Sequence, residues 1–334
     1  MVIDLPFLWA AIIAFAVLAY VVMDGFDLGI GILFPFFPEK RDRDLMMNSV
    51  APVWDGNETW LVLGGGGLLA VFPLAYAIVL PALYMPLIIM LLALIFRGVA
   101  FEYRWRTRRA EFLWNHAFAW GSTVAAFCQG IALGALVQGI KVENRAYAGG
   151  WWDWLTPFSI ATGVALVIGY TLLGATWLAM KTDGPLNERA RTIARIAAFG
   201  TVGAMGIFSL WTPFTEPLYV ERWFNGPTAV FSFLVPVLVL GCLYVILRGL
   251  RDGHDWKPFV ASLGLFLLGY AGIGISFYPY IVPPSVTIWD AAAPDSSLAF
   301  LLAGAVVLVP MILCYTAYSY WVFRGKISED DGYH

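Results

Sequence analysis

Apolar runs of about 20 residues recur along this chain, and that recurrence constrains the fold before any motif does. A helix of roughly 20 apolar residues crosses a bilayer core, and within lipid the backbone must satisfy its own hydrogen bonds. Nine such runs are present, at residues 7–34, 56–72, 75–96, 112–138, 157–180, 193–211, 228–247, 259–280 and 298–323. Charged residues are 13% of the 334, against about 25% in a soluble globular chain. The expected fold class is an all-α integral membrane protein with nine transmembrane helices, forming a single transmembrane domain over residues 1–334. No internal sequence repeat is visible, and an arrangement of two four-helix bundles plus one helix is compatible with the pattern. Only Phe72-Pro73-Leu74 separates the second run from the third, which predicts a tight hairpin. The first run is long enough to require tilt or projection. It lacks a basic leader and an A-x-A site, and is read as an uncleaved helix.

The basic residues assign a side to each connection. Lys40, Arg41 and Arg43 follow the first span, and Arg97, Arg104, Arg106, Arg108 and Arg109 follow the third. Lys181, Arg189, Arg191 and Arg195 follow the fifth; Arg248, Arg251 and Lys257 follow the seventh; Arg324 and Lys326 follow the last. Of the 20 lysines and arginines, Lys141, Arg145 and Arg222 alone fall on the other side. Positive charge marks the cytoplasmic face, so the N-terminus is expected outside and the C-terminus in the cytoplasm. Scattered between apolar runs, these charges form no basic domain, which excludes nucleic acid as a partner. The outward connections carry Trp151-Trp152-Asp153-Trp154 and Tyr278-Pro279-Tyr280, the composition of an interfacial aromatic belt. Pro283-Pro284 stops the eighth helix.

Acidic groups lie where this pattern makes them costly. Trp54-Asp55-Gly56-Asn57-Glu58-Thr59-Trp60 opens the second span with two carboxylates, an amide and two indoles. Asp24 and Asp27, three apart and so on one helix face, lie in the first span, roughly 25 Å from its outer end at about 1.5 Å per residue. Arg97 closes the third span, with Glu102 five residues on. Topology thus brings Asp24, Asp27, Asp55, Glu58, Arg97 and Glu102 to one depth from three consecutive helices. One reading is a set of ion pairs that staples those helices, with Asp55 as a helix cap. Another is a proton-entry cluster, since mutually repelling acids in a membrane commonly form relays. A third is a cation site made by Asp27, Asp55 and neighbouring oxygens.

Other residues exclude chemistry. Gly64 to Gly67 follow no strand and precede no phosphate-binding lysine, so they are read as helix-packing positions, as are Gly25, Gly29 and Gly31. Cys128, Cys242 and Cys314 each sit in an apolar run without a CxxC, which predicts buried, inert thiols. His116 begins the fourth span, His254 lies in a connection and His334 ends the chain. Paired histidine ligation of haem within the spans is therefore not available. No metal or cofactor ligand set is assigned to this chain.

Four stretches carry a resemblance. Asp24-Gly25-Phe26-Asp27-Leu28-Gly29, then Asn48 through Leu61, then Phe96-Arg97-Gly98-Val99-Ala100-Phe101-Glu102-Tyr103-Arg104, and Tyr278 through Pro284 resemble subunit II of cytochrome bd-type quinol oxidases. They run in the family's order, and the tight connections are similar to its cyanide-insensitive branch. The resemblance implies a haem-free subunit of a quinol:oxygen oxidoreductase in the bacterial cytoplasmic (inner) membrane. It further implies a haem-bearing subunit I that carries two b-type haems and haem d, or a third b-type haem, and takes the quinol. Small single-span accessory subunits occur in the family, and some members hold a structural quinone in this subunit. This chain would stabilise subunit I and provide a cytoplasmic proton path. The path would use the acids matching Asp27 and Asp55 beside Trp54, with Asp24 from the same motif. Asn57, Arg97 and Glu102 would support it; Glu58 stands where members vary between acid and amide. The rival from another class is a proton- or cation-coupled secondary transporter, which needs a midplane site on broken helices.

Overall fold

The computed structural model describes residues 4–107, 109–225 and 229–327. Arg108, Thr228 and His334, used in the sequence reading, lie outside the described residues. In chain order the helices are α1 Leu5–Leu33, α2 Lys40–Asn48, α3 Trp54–Val71, α4 Pro73–Ala82, α5 Tyr84–Arg106 and α6 Glu111–Val137. Beyond these come α7 Pro157–Lys181, α8 Gly184–Trp211, α9 Pro217–Phe224, α10 Ala229–Arg251, α11 Trp256–Phe277, α12 Ile288–Ala291 and α13 Asp295–Val322. Two short 3-10 turns, Phe34–Phe36 and Thr212–Phe214, and two small antiparallel hairpins complete the regular structure of the described residues. Strand β1 (Val142–Glu143) pairs with β2 (Ala146–Tyr147), and β3 (Tyr280–Val282) with β4 (Val286–Thr287).

Among the described residues eight helices are long and apolar enough to cross a membrane: α1, α5, α6, α7, α8, α10, α11 and α13. The second expected span, α3, falls short of that apolar measure because Asp55, Asn57, Glu58 and four glycines dilute it. At 18 residues it is about 27 Å long.

The expected hairpin between the second and third runs is corrected. Pro73 starts α4, a ten-residue helix of its own, and the long helix begins only at Tyr84. The break at Leu83 has a local cause. Pro86 has no N–H to offer the Ala82 carbonyl, and its ring crowds that oxygen. The helix then continues past the apolar run to Arg106, so Arg97 lies inside α5 and not at its end. Helices also outrun the apolar stretches, as at α8, which starts at Gly184 although Arg189, Arg191 and Arg195 are charged. Charge ends an apolar run, but lysine and arginine are good helix formers.

Capping sets several boundaries. The Asp4 carboxylate accepts from Phe7 N–H at 3.0 Å to start α1, and Thr156 with Ser159 forms a reciprocal capping box at α7. The helix ends gather into two sets. At one end, Lys40 meets Glu111 at 2.7 Å, Arg104 meets Asp44 at 2.6 Å and Arg191 meets Asp255 at 3.0 Å. Lys326 joins this end by pairing with Asp183 and Asp255. This basic end holds α2 and the connections that the sequence reading grouped together. At the opposite end, Trp289 donates to Asp4, Ala293 N–H to the Val71 carbonyl and Ile140 N–H to Pro283.

Helix α1 sits at the centre, against α3, α6 and α7. Two glycines make that approach possible. A methyl at Gly29 would strike the Tyr170 carbonyl oxygen and come within 2.8 Å of Gly174 N, and one at Gly31 would strike Ser122. The expected packing role of Gly64 to Gly67 holds for half of them. Gly64 and Gly67 face Val17 and Ile13 of α1, whereas nothing lies within 4 Å of Gly65 or Gly66. The cysteines also divide: Cys128 is buried, Cys242 half-buried and Cys314 exposed. Cys314 lies on α13, whose single buried residue is Leu298, so the expected burial fails there because the helix itself has no cover.

Candidate functional site

One cluster of buried charge converges on Arg97. Its side chain is inaccessible to solvent, as are those of Asp24 and Asp27. Arg97 Nη1 lies 2.9 Å from Asp24 Oδ1 and 3.9 Å from Glu58 Oε2, and Nη2 lies 3.9 Å from Asp27 Oδ2. Three helices supply these groups. On α1 the three-residue spacing places both aspartates on the face toward α3 and α5. On α5 Arg97 shares the buried face with Met90, Leu94, Phe101 and Arg104, three or four residues apart. On α3 Glu58 lies one turn inside the first residue, with its side chain 24% exposed.

Aromatic groups hold the guanidinium. Trp54 and Phe101 stack at 4.7 Å, within 3° of parallel, and Arg97 lies 5.9 Å from each ring centre. Such contacts contribute roughly 2 kcal/mol when desolvated. Gly98 leaves room for the indole, which would pass a methyl there at 3.5 Å.

Polar partners surround the acids. Asn57 Nδ2 donates to Asp27 Oδ2 at 2.7 Å, and its Oδ1 accepts from the Tyr320 hydroxyl at 2.8 Å. Deeper in the bundle, Tyr170 donates to Gln129 Oε1 at 2.7 Å and Gln129 Nε2 donates to the Tyr20 oxygen at 2.7 Å. One guanidinium thus serves three carboxylates. Two of the three, Asp24 and Asp27, are closed to solvent, and Glu58 stands at the rim.

The expected six-residue cluster therefore divides. Asp24, Asp27, Glu58 and Arg97 meet. Asp55 does not touch Arg97; it is exposed on the wall of a cleft of about 510 Å³, shared with Trp54, Asn57, Glu102, Tyr315 and Tyr320. Glu102 also misses the cluster, and its half-exposed carboxylate pairs with Arg106 at 3.7 Å. The reason is rotation, because five residues along α5 is about 500° and turns Glu102 some 140° from Arg97. Asp27 and Asp55 differ in setting, the first closed to solvent and the second exposed on the cleft wall.

Tyr320, Tyr20, Gln129 and Tyr170 were missed by the sequence reading. Tyr320 stands beside Tyr315, Tyr318 and Trp321, which reads as interfacial belt; the others are single polar residues in apolar runs. Two of the three histidines lie among the described residues, both at the surface. His116 is exposed beside Phe112, and His254 is exposed in a turn with Lys257 Nζ 3.0 Å from its ring.

Residues 5–323 match the family described as cytochrome bd terminal oxidase subunit II. The chain is 32% identical to cytochrome bd-I ubiquinol oxidase subunit 2 of Escherichia coli (strain K12), with 98% of this chain and 96% of that one covered. It is 28% identical to cytochrome bd ubiquinol oxidase subunit 2 of Bacillus subtilis (strain 168), covering 97% of each. The fold is shared with a chain of the bd oxidase from Geobacillus thermodenitrificans, with a TM-score of 0.77 over 96% of this chain and 99% of that one, at 18% identity.

Proposed function

The chain belongs to the cytochrome bd terminal oxidase subunit II family, and we propose that it is the haem-free subunit that holds subunit I and admits protons from the cytoplasm. It is a multi-pass protein of the bacterial inner membrane and part of an oxidoreductase complex. The haems of subunit I supply the electron transfer from quinol to oxygen; the residues described above handle protons. The transporter reading is set aside, because family membership opposes it and the charges lie toward the basic end and not at a midplane break.

The single observation that carries the proton reading is the solvent-free cluster of Asp24, Asp27 and Arg97 with Glu58 at its rim. In our reading the basic end is cytoplasmic, α3 is the second span and brings the total to nine, and the nine helices make up the single domain expected above. The cleft delivers protons to Asp55. Glu58, one helical turn further in, passes them to Asp24 and Asp27, whose combined charge Arg97 leaves short of balance. Trp54 keeps water from Arg97, Asn57 supports Asp27, and Glu102 is a cleft-wall acid with no direct role. Asp55 is thus the collecting acid and Glu58 the link, a larger role for Glu58 than the resemblance implied.

Asp55→Asn and Glu58→Gln in the assembled complex test this. Oxygen consumption per haem is expected to fall at least about tenfold in Glu58→Gln and less in Asp55→Asn, with haem content unchanged. Unchanged turnover in both variants would rule out this path; loss of haem would favour a purely structural role for the acids.

The partner surface is the face of α3 that carries Val62, Gly65, Gly66 and Leu69, next to the largely uncovered α13. None of the described residues lies within 4 Å of a methyl at Gly65 or Gly66, which suits a helix of subunit I. Gly66→Leu is expected to leave this chain folded while reducing the subunit I that co-purifies with it. Unaltered recovery of subunit I would place the interface elsewhere.

A further inference from the structure

Helix α13 is the least covered of the long helices, yet its basic end is pinned at several points. Lys181 Nζ donates to the Phe323 carbonyl at 2.6 Å, and Ile327 N–H donates to the Lys181 carbonyl at 2.9 Å. Between these anchors and the cleft stands Tyr320, its ring edge-on to Phe26 at 6.4 Å and to Trp177 at 6.3 Å. Its hydroxyl reaches across to α3.

The direction of the hydrogen bonds there is set by their partners. Asn57 is 1% exposed, and one edge of its amide faces the Met23 carbonyl at 3.4 Å and Asp27 Oδ2 at 2.7 Å. A backbone carbonyl can only accept, so the amide nitrogen belongs on that edge and the amide oxygen faces Tyr320. That oxygen too can only accept, so the phenol must donate. The chain Tyr320→Asn57→Asp27 has one sense, and it links α13, α3 and α1. An amide does not titrate, so this chain orients Asp27 without conducting protons to it. Asn57 also stands between Asp27 and the cleft that it helps to line.

We propose that Tyr320 is a positioning residue for proton uptake: from the end of α13 it locks the Asn57 amide against Asp27, so that this acid exchanges protons through the Glu58–Arg97 side and not directly with the cleft. This rests on the proton-uptake reading above. The titratable and charged groups around Asp27 are Asp24 on its own helix, Glu58 on α3, Arg97 on α5 and Tyr320 on α13, while Tyr20 on α1 and Tyr170 on α7 lie beside Asp24. Helix α6 contributes the neutral Gln129. Of these, Tyr320 alone acts through Asn57.

The test is the pH dependence of oxygen consumption per haem in assembled complexes. Tyr320→Phe removes one oxygen atom and keeps the ring. Its pH–rate midpoint is expected to move by about half a unit, with maximal turnover within about threefold of the parent. Asn57→Leu severs the same chain from the other side and is expected to move the midpoint at least as far, which keeps the test open should Tyr320→Phe fail to assemble. Adding Tyr320→Phe to Asn57→Leu is expected to move it no further. A Tyr320→Phe or Asn57→Leu profile that superimposes on the parent overturns the proposal, as does a Tyr320→Phe shift that persists undiminished in the Asn57→Leu background. Asp27→Asn separates the two levels. If it turns over normally, uptake through Asp27 is itself wrong. If it is slow while the Tyr320→Phe profile is unmoved, only the positioning role falls.

Discussion

Arg97→Leu is expected to prevent the complex from accumulating, measured as haem absorbance recovered with this chain. The substitution leaves Asp24 and Asp27 without a counter-charge in a site that admits no solvent. Breaking a buried pair from one side costs about 3–5 kcal/mol, a large share of the net stability of most folded chains. It also empties the space beside the Trp54 and Phe101 rings. Two companion variants separate charge from packing. Arg97→Lys keeps the charge but loses the planar fork, and should assemble at reduced yield. Arg97→Leu with Asp24→Leu removes the closest pair together and should recover assembly in part, because Asp27 keeps its Asn57 hydrogen bond and can take up a proton. Parental haem recovery in Arg97→Leu alone would show that the cluster does not hold the helices.

Gly29→Ala is expected to be comparably damaging although it adds one methyl group. That methyl would meet the Tyr170 carbonyl oxygen, and also Gly174 N and Cα at 2.8 and 2.9 Å. These are backbone atoms of α7, which cannot turn aside as a side chain would, so α1 and α7 must separate. Overpacking typically costs about 1–3 kcal/mol, and here the displaced helix also carries Asp24 and Asp27. Gly203→Ala on α8 is the control, because none of the described residues lies within 4 Å of a methyl at that position. Thermal unfolding of the complex, followed by haem loss, should begin well below the parent temperature in Gly29→Ala. Equal transition temperatures for Gly29→Ala and the parent would contradict the close contact.

Much of this was legible in the residues. The apolar runs locate every long helix, with boundaries displaced where local chemistry intervenes: Pro86 delays α5, and charged but helix-favouring residues extend α8. The segregation of lysine and arginine corresponds to the two ends of the structure. The acids were found by their cost in apolar surroundings, and Asp24, Asp27, Glu58 and Arg97 do meet. Asp55 and Glu102 were grouped with them by depth alone, and depth says nothing about the direction a side chain faces. Two groups at one level on neighbouring helices can point toward each other or away, depending on helix rotation.

Sequence by itself determined the properties that local periodicity and solvation dictate: a bundle of membrane helices, a basic end, and acids that must be paired or put to use. The tertiary structure alone decided which acid faces Arg97, which glycines admit a neighbouring helix and which stay bare, and that Tyr320 reaches Asn57 across 263 positions of chain. The physical reason is range. Helix formation and hydropathy are summed over neighbours in sequence, whereas a hydrogen bond or a methyl-sized gap depends on the rotation and approach of whole helices, which packing of the complete bundle sets.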